Sequence, residues 1–486
     1  MAFAITQTCC NDASCVAVCP VNCIHPTPDE PDFGRTDMLY VDPRTCIDCG
    51  ACADACPVDA IFPVDALTAP LKSYVDINAE YYADKALPDM GSSPNFHAWG
   101  PPTFNRLIPS DLAPLDVAVV GTGPAGMYAV QDLLLHTNAS VTLIDRLPVA
   151  GGLVRFGVAP DHPSTKRIGE VFARFHTHPR LRLRLGVEVG RDVTVDELAE
   201  RHDAVIYAVG AAAPRGMGIP GEDLTGSLAA TTVVGWYNGH PDVPADAVDL
   251  SAERVVVVGN GNVALDVARV LTADPAALAG TSIAPHALAA LRSSKVREVV
   301  LLGRRGPGDA AYTRPELLAL TGQDAVDLVV DAHDPGIDAA EGEKAALLRD
   351  IRRETVDWST PPPHGRRRIV LRFHSTPEAV VGDGEVRGLR LAGGVEITAG
   401  QVVRAIGHRG TPLPGLPFDD DSGTVPNTGG RVRPGTYVVG WVKRGPSGGI
   451  GANKSCAEET VGALLEDAAA GLLTTARGRR RRFRRG

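Results

Sequence analysis

Four cysteines are packed into eleven residues at Cys46-Ile-Asp-Cys49-Gly-Ala-Cys52-Ala-Asp-Ala-Cys56-Pro57, a C-x2-C-x2-C-x3-C-P run. A structural zinc ion wants two ligand pairs separated by a long spacer, not four thiolates at this density. Disulfides need an oxidising compartment, and MAFAITQTCC has neither the basic start nor the apolar run of an export signal. The spacing is that of iron–sulfur ligation, in which three thiolates hold one cluster and the fourth reaches to another. The second motif lies upstream, from Cys9-Cys10-Asn11-Asp12 to Cys15 and on to Cys19-Pro20. Aligned on Cys-Pro it reads C-x2-D-x2-C-x3-C-P, with Asp12 in a ligand position. By the crossed rule Cys19, Cys46, Cys49 and Cys52 hold a [4Fe–4S] cluster, and Cys9, Cys15 and Cys56 hold a second. The second is [3Fe–4S], or [4Fe–4S] with Asp12 or water as fourth ligand. A carboxylate is harder than a thiolate and holds that iron less firmly, which favours the three-iron form. Cys10 is an alternative to Cys9. Cys23 reads as a buried thiol near a cluster and Cys456 as a small core residue.

Two further motifs bind dinucleotides. Gly121-Thr-Gly123-Pro-Ala125-Gly126 follows the strand-like Asp116–Val120 and opens a helix-like stretch. Its glycines permit the tight turn, the approach of a pyrophosphate and close helix packing, and the phosphate sits on the helix N-terminus. Asp145, 24 residues after Gly121 at the end of the next strand, is placed for a ribose 2′-OH. An acid there disfavours a 2′-phosphate, so this site takes FAD or NAD. The second motif is Gly259-Asn260-Gly261-Asn262-Val263-Ala264, after the strand Arg254–Val258. The strand that follows, Val299–Leu302, ends in Gly303-Arg304-Arg305. Two guanidinium forks suit a 2′-phosphate, which points to NADP.

These motifs need separate domains to position them, and 486 residues allow about three. The boundaries read as a cysteine-rich module over 1–75, a Pro/Gly/Ser-rich linker over 76–113, and a first dinucleotide domain over 114–213 and 404–473. A second dinucleotide domain over 214–403 is inserted in the first, and a basic tail occupies 474–486. Tyr207–Ala211 and Val402–Gly407 are the two crossings between the dinucleotide domains. Pro363–Arg368 and the Gly/Asp turns after Gly382 read as loops. The fold class is thus an α+β two-cluster module followed by two α/β Rossmann-like domains. Residues 1–75 carry ten acidic and three basic side chains, whereas the tail carries seven arginines, read as a solvated run. Apolar residues make up 44 % and no stretch reaches the ~18 needed to span a membrane. A cytoplasmic monomer without nucleic-acid or membrane partners is expected.

The cysteine module resembles the seven-iron and eight-iron bacterial ferredoxins. Its Cys9-to-Cys15 spacing is shorter than in the seven-iron group. From about Asp116 to Leu473, the stretches Gly152–His162, Gly259–Arg269, Gly303–Pro307 and Gly440–Pro446 resemble adrenodoxin reductase-type ferredoxin–NADP⁺ reductases; Gln323–Leu389 matches poorly. The resemblance implies FAD contacts at Ala125, Asp145, Leu153, Val189, Trp441, Gly448, Gly449 and Ile450. It implies NADP contacts at Asn260 to Ala264, Arg304, Arg305, Glu316 and Gly448. It also makes His162 and Asp266 candidates for proton handling beside the flavin, against the plainer readings that His162 packs and Asp266 anchors its helix. The expected activity is hydride transfer from NADPH to FAD, then single electrons to the clusters and on to acceptor proteins such as ferredoxins or cytochromes P450. Reverse flux from reduced ferredoxin to NADP⁺, an electron-feeding subunit of a larger complex, and a docking module with structural clusters remain open.

Overall fold

The computed structural model describes residues 2–85, 112–323, 325–337, 340 and 342–473. The expected basic tail and most of the expected linker lie outside them.

The cysteine module is built twice on one local pattern. Helices Ser14–Val18 and Ala51–Ala55 each end at a Cys-Pro step, with Cys19 and Cys56 in extended backbone. Left-handed residues recur at matched places: Asn11 and Asp48, Ala13 and Gly50, Asn22 and Asp59, each pair 37 positions apart. The same offset pairs Cys9 with Cys46, Cys15 with Cys52, Cys19 with Cys56, and Asp12 with Cys49. Phe3–Ile5 pairs antiparallel with Ile61–Pro63, and Ile24–His25 with Tyr40–Val41.

The expected linker starts too early. Residues Ser73–Glu80 form a helix, with Tyr74 and Ile77 buried. Tyr82 is buried too, its hydroxyl donating to the Tyr40 carbonyl at 2.7 Å. The absent apolar period that read as a linker reflects a polar residue in the core. Asn78, 2 % exposed, accepts from the Ile5 and Val41 amides at 3.1 and 2.9 Å and donates to the Ile5 and Tyr74 carbonyls at 2.8 and 2.7 Å. It ties both antiparallel pairs to the helix. Asn78→Ala strands two buried amides at ~1–3 kcal/mol each. The expected result is lost cluster iron and a lower urea midpoint followed by cluster absorbance, with Asn78→Asp, which keeps the acceptor oxygen, falling between.

Contacts divide the chain into two units: Met1–Arg155, Ser164–Ala213 and His408–Gly486 in the first, Phe156–Pro163 and Pro214–Gly407 in the second. The first contains the cysteine module and a six-stranded sheet. Its order is Arg431–Arg433, Thr436–Val438, Ala204–Tyr207, Asp116–Val120, Ser140–Asp145, Leu181–Leu185, parallel except at the Arg431–Arg433 edge. Strand order reverses between Asp116–Val120 and Ala204–Tyr207, the switch point where α/β sheets bind ligands.

The second unit holds a seven-stranded parallel sheet: Ser227–Ala229, Gln401–Arg404, Arg254–Val258, Glu298–Leu302, Arg367–Arg372, Val326–Asp331, Arg352–Glu354. One expectation fails here. Arg367 and Arg368, read as loop, open an inner strand. The turn expected after Gly382 is present at Gly384, between the antiparallel strands Pro377–Asp383 and Glu385–Leu391. Arg368 misleads because it is buried in an ion pair, and Arg367 because its guanidinium donates to the Ala273 carbonyl at 2.8 Å. Glu298, with no exposure, takes hydrogen bonds from both Arg254 and Arg368. Segment 156–163 also leaves the first domain in which it was expected. Val158 accepts from Asn238 at 3.1 Å, Phe156 lies edge-on to His240 at 4.9 Å, and Asp161 pairs with Arg269.

No helix among the described residues is long and apolar enough to cross a membrane.

Candidate functional site

Each end of the cysteine module gathers one set of ligand-type side chains. Cys19, Cys46, Cys49 and Cys52 line one cavity with Phe3, Val21, Cys23, Ile47 and Gly50. The local folds explain the convergence: the Cys46–Cys52 loop wraps one side, and Cys19 arrives from the other repeat at the end of its helix. Cys23, which sequence reasoning left without a role, sits 3.4 Å from the Cys19 Sγ. Hydrogen bonding with Cys23 lowers the thiols of Cys19 and Cys46 to about 6 and about 5. Thiolates held this way are ready to bind metal.

At the other end, burial pushes the Cys9 thiol up to about 11 and raises Cys15 and Cys56 as well. The negative charges of Cys9, Asp12 and Cys56 add to the shift at Cys15. Such a set is unfavourable without cationic iron to hold it. Asp12 accepts a hydrogen bond from the Ser14 hydroxyl. Both donor sets fit iron–sulfur clusters.

In the first unit Gly121 has φ +112°, and a Cβ there would lie 2.4 Å from the Ala208 carbonyl. Only glycine permits this turn. The helix Pro124–His136 follows it. A Cβ on Gly152 would sit 2.6 Å from the Gly123 Cα, so two bare backbones meet where a pyrophosphate would lie. Asp145 accepts from the Thr122 amide at 2.8 Å and hydroxyl at 2.5 Å, and from the Leu147 amide at 2.9 Å. It shapes the glycine turn, with lone pairs remaining for a ribose hydroxyl. Leu153 is 48 % exposed and Val189 is buried. Trp441 donates to the Ser447 carbonyl at 3.1 Å, closing the loop that carries Gly448, Gly449 and Ile450. Cys456 is buried, its sulfur accepting from the Gly440 amide. The cradle fits a flavin dinucleotide.

The second unit repeats the turn. Gly259 has φ +121°, and a Cβ there would lie 2.3 Å from the Ala405 carbonyl. The helix Asn262–Thr272 follows. Asn262 accepts from the Thr313 amide at 2.8 Å and Asn260 from the Ala311 amide at 3.3 Å, joining the glycine turn to the loop ahead of Glu316. Arg304 and Arg305 stand exposed just past the Glu298–Leu302 strand.

Also in the second unit, His162, Asp266 and Glu316 offer ligand-type atoms within 4.8 Å of one another. Sequence reasoning placed Glu316 with NADP and missed Arg269, which organises the group. Its guanidinium donates to Asp161 at 2.6 Å, Asp266 at 2.6 Å and His162 Nε2 at 2.6 Å, and its Nη1 lies 3.7 Å from Glu316. Asp266 and Arg269 are three apart on one helix, a spacing that brings side chains together and was the available signal. An arginine only donates, so in this contact His162 Nε2 takes the acceptor role. Arg269 supplies positive charge among these carboxylates. Burial works upward on Asp161, but Arg269 wins and holds it below the ordinary value. Glu316 goes the other way: burial first, then Asp266, push it from 4.5 to about 7.

Comparison with known proteins agrees with this architecture. The family model for pyridine nucleotide-disulphide oxidoreductases matches residues 115–301, and that for 4Fe-4S binding domains matches residues 39–62. A protein of Mycobacterium tuberculosis described as a probable ferredoxin/ferredoxin–NADP reductase is 48 % identical over 98 % of this chain and 85 % of its own length. The structure of Mycobacterium tuberculosis FprA in complex with NADPH aligns at TM-score 0.66 and 44 % identity, covering 73 % of this chain and 84 % of that one. The mitochondrial NADPH:adrenodoxin oxidoreductase of Arabidopsis thaliana is 39 % identical over 73 % of this chain and 82 % of its own. Fold and site define a pyridine nucleotide oxidoreductase carrying a 4Fe-4S module. The chain belongs to the ferredoxin/ferredoxin–NADP reductase family.

Proposed function

We propose that this ferredoxin–NADP⁺ reductase takes a hydride from NADPH at the second unit, stores it at FAD in the first, and releases single electrons through two clusters to acceptor proteins such as ferredoxins or cytochromes P450. The observation that carries the reading is the contrast between the two glycine turns: one is followed by Asp145, the other by Arg304 and Arg305. FAD supplies the exchange between a two-electron hydride and one-electron steps.

The chain's own residues bind, orient and hold protons. The helix after Gly123 receives the FAD pyrophosphate, Asp145 the ribose, and Leu153, Val189, Trp441 and Gly448 to Ile450 surround the ring system. Asn260 to Ala264 receive the NADP pyrophosphate, and Arg304 and Arg305 its 2′-phosphate. His162, with Nε2 facing Arg269, serves as a proton carrier through Nδ1. Glu316, poised near neutrality, and Asp266 hold a proton in reserve within the same network. The offset of 37 residues pairs Cys9 rather than Cys10 with the ligand Cys46. It places Asp12 opposite Cys49, leaving the second cluster one thiolate short.

Stopped-flow mixing with NADPH tests the reading. Flavin absorbance is expected to bleach first and cluster absorbance to follow within turnover; clusters that stay oxidised would sink it. EPR with metal analysis separates a three-iron from a four-iron second cluster.

A pH prediction follows from Glu316. Its folded pKa lies above the unfolded one, so between pH 4.5 and about 7 the folded state holds more protons and this group's contribution to stability falls as pH rises. Glu316→Gln is expected to remove that decline and to flatten the pH profile of flavin bleaching near pH 7. An unchanged profile would take Glu316 out of proton handling.

A further inference from the structure

The cysteine module is fixed to the flavin-binding part of its own unit by one face, and that face belongs to the second cluster. The Gly451 amide donates to the Cys10 carbonyl at 2.9 Å. Lys454 Nζ donates to the Asp12 carbonyl and to the Ser14 hydroxyl, both at 3.3 Å. The approach is so close that a Cβ on Gly451 would lie 2.2 Å from the Cys10 oxygen and 2.4 Å from both the Asn11 carbonyl carbon and the Asp12 nitrogen. Arg167 forms an ion pair with Asp59, three residues past the ligand Cys56. Every one of these module residues lies between Cys9 and Cys15 or just after Cys56. On the other side, Gly451 directly follows the flavin loop Gly448–Ile450, and Lys454 is in the first turn of the helix Ala452–Ala469. The first cluster's rim is turned outward: Cys49 is exposed and Ile47 is 57 % exposed.

We infer that the second cluster, held by Cys9, Cys15 and Cys56, is the one that exchanges electrons with the flavin, and that the Cys19/Cys46/Cys49/Cys52 cluster is the outer relay. Lys454 and Gly451 are positioning residues for this port. The inference rests on the proposed hydride-to-cluster activity and adds an order to it. NADPH gives up two electrons and one proton as hydride; the flavin takes these with a further proton from solvent. Two electrons then leave singly to the second cluster, which passes each on to the first and thence to an acceptor protein, one electron reducing each acceptor, and two protons return to solvent. The cluster that lacks a thiolate is thereby the one shielded by the reductase, and the fully thiolate-ligated cluster is the one presented outward. Shielding protects the site with the less firmly held iron.

Lys454→Glu places a carboxylate against the Asp12 carbonyl and the Ser14 hydroxyl; Lys454→Met removes the donors and keeps the stem. Both are read in the full holoprotein. Hydrogen–deuterium exchange of the peptide spanning Cys10–Ser14 is expected to quicken at least about tenfold in Lys454→Glu. Cluster reduction in stopped flow is expected to slow about tenfold, with flavin bleaching by NADPH unchanged and Lys454→Met intermediate. In rapid-freeze EPR of the unaltered protein, reduction of the second cluster is expected to precede that of the first. Reduction of the first cluster ahead of the second overturns the order. Unchanged exchange and cluster reduction in both variants overturn the port. If the unaltered protein's clusters are never reduced, the functional reading itself falls, while the exchange data still report whether the contact exists.

Discussion

Changing Arg304 and Arg305 together to alanine is expected to raise the KM for NADPH by roughly two to four orders of magnitude while leaving that for NADH within a few-fold. Each guanidinium-to-phosphate interaction contributes about 1.5–3 kcal/mol, and about 1.4 kcal/mol is a factor of ten in affinity. The two side chains are available for this role. Both are exposed, and the 3.9 Å pair of Arg305 with Asp309 is a surface contact that holds little. The 2′-phosphate is remote from the reacting carbon, so its binding is shared by ground and transition states. The loss then belongs in KM, with kcat at saturating NADPH little changed. Exposure also makes the wild-type preference salt-dependent, so the ratio of kcat/KM values for NADPH and NADH should narrow as ionic strength rises. An unaltered ratio in the double variant would remove these residues from cofactor selection and require another phosphate site.

The second large effect concerns stability. Glu298→Ala is expected to lower the unfolding free energy of the second unit by at least about 3–5 kcal/mol, the cost of stripping the partner from a buried ion pair. The Glu298 carboxylate receives both the Arg254 and the Arg368 guanidinium. Arg254 is further held by the Trp358, Thr398 and Thr360 carbonyls at 3.2, 3.0 and 3.0 Å, and Arg368 by Glu354 at 2.7 Å. Alanine would leave two buried cations without their common counter-charge. Glu298→Gln keeps an acceptor but not the charge, and should recover part of the loss. The pair lies at the start of the Glu298–Leu302 strand, whereas Arg304 and Arg305 follow its end. The KM for NADPH measured well below the unfolding temperature should therefore stay close to wild type, since ligands bind at the carboxyl ends of such strands. Denaturant unfolding read by tryptophan fluorescence, with Trp236 and Trp358 both in this unit, gives the stability change. A shift under about 1 kcal/mol would mean the charges are reached by water.

The two sites differ in how far they were legible. Chemistry carried by neighbours in the chain was readable: four thiolates in one run, a glycine turn after a strand, two arginines at a strand's end. Such motifs act within one or two turns of backbone, so residue type and spacing already contain their geometry. The Asp12 substitution was legible for the same reason, by alignment within a short repeat. Segments whose polar residues are buried were misread. Asn78 looked like linker and Arg367–Arg368 like loop, because pattern reading assigns polar side chains to solvent. Each is inside because folding supplies its partners: Asn78 meets the backbone of two separate strand pairs, and Arg368 meets a carboxylate 70 positions earlier in the chain.

What the sequence by itself determined is the inventory: cysteines at cluster spacing, two glycine turns after strands, an acid beyond one turn and two arginines beyond the other. Only the tertiary structure decided how these parts act together. It gathered His162, Asp266 and Glu316 around Arg269, it set Cys23 against Cys19 and Cys46, and it turned the Cys9–Cys15 segment toward Gly451. Those contacts join residues up to about 440 positions apart. Nothing local encodes them, since they arise when distant segments bury their surfaces together and the remaining polar groups must find partners there.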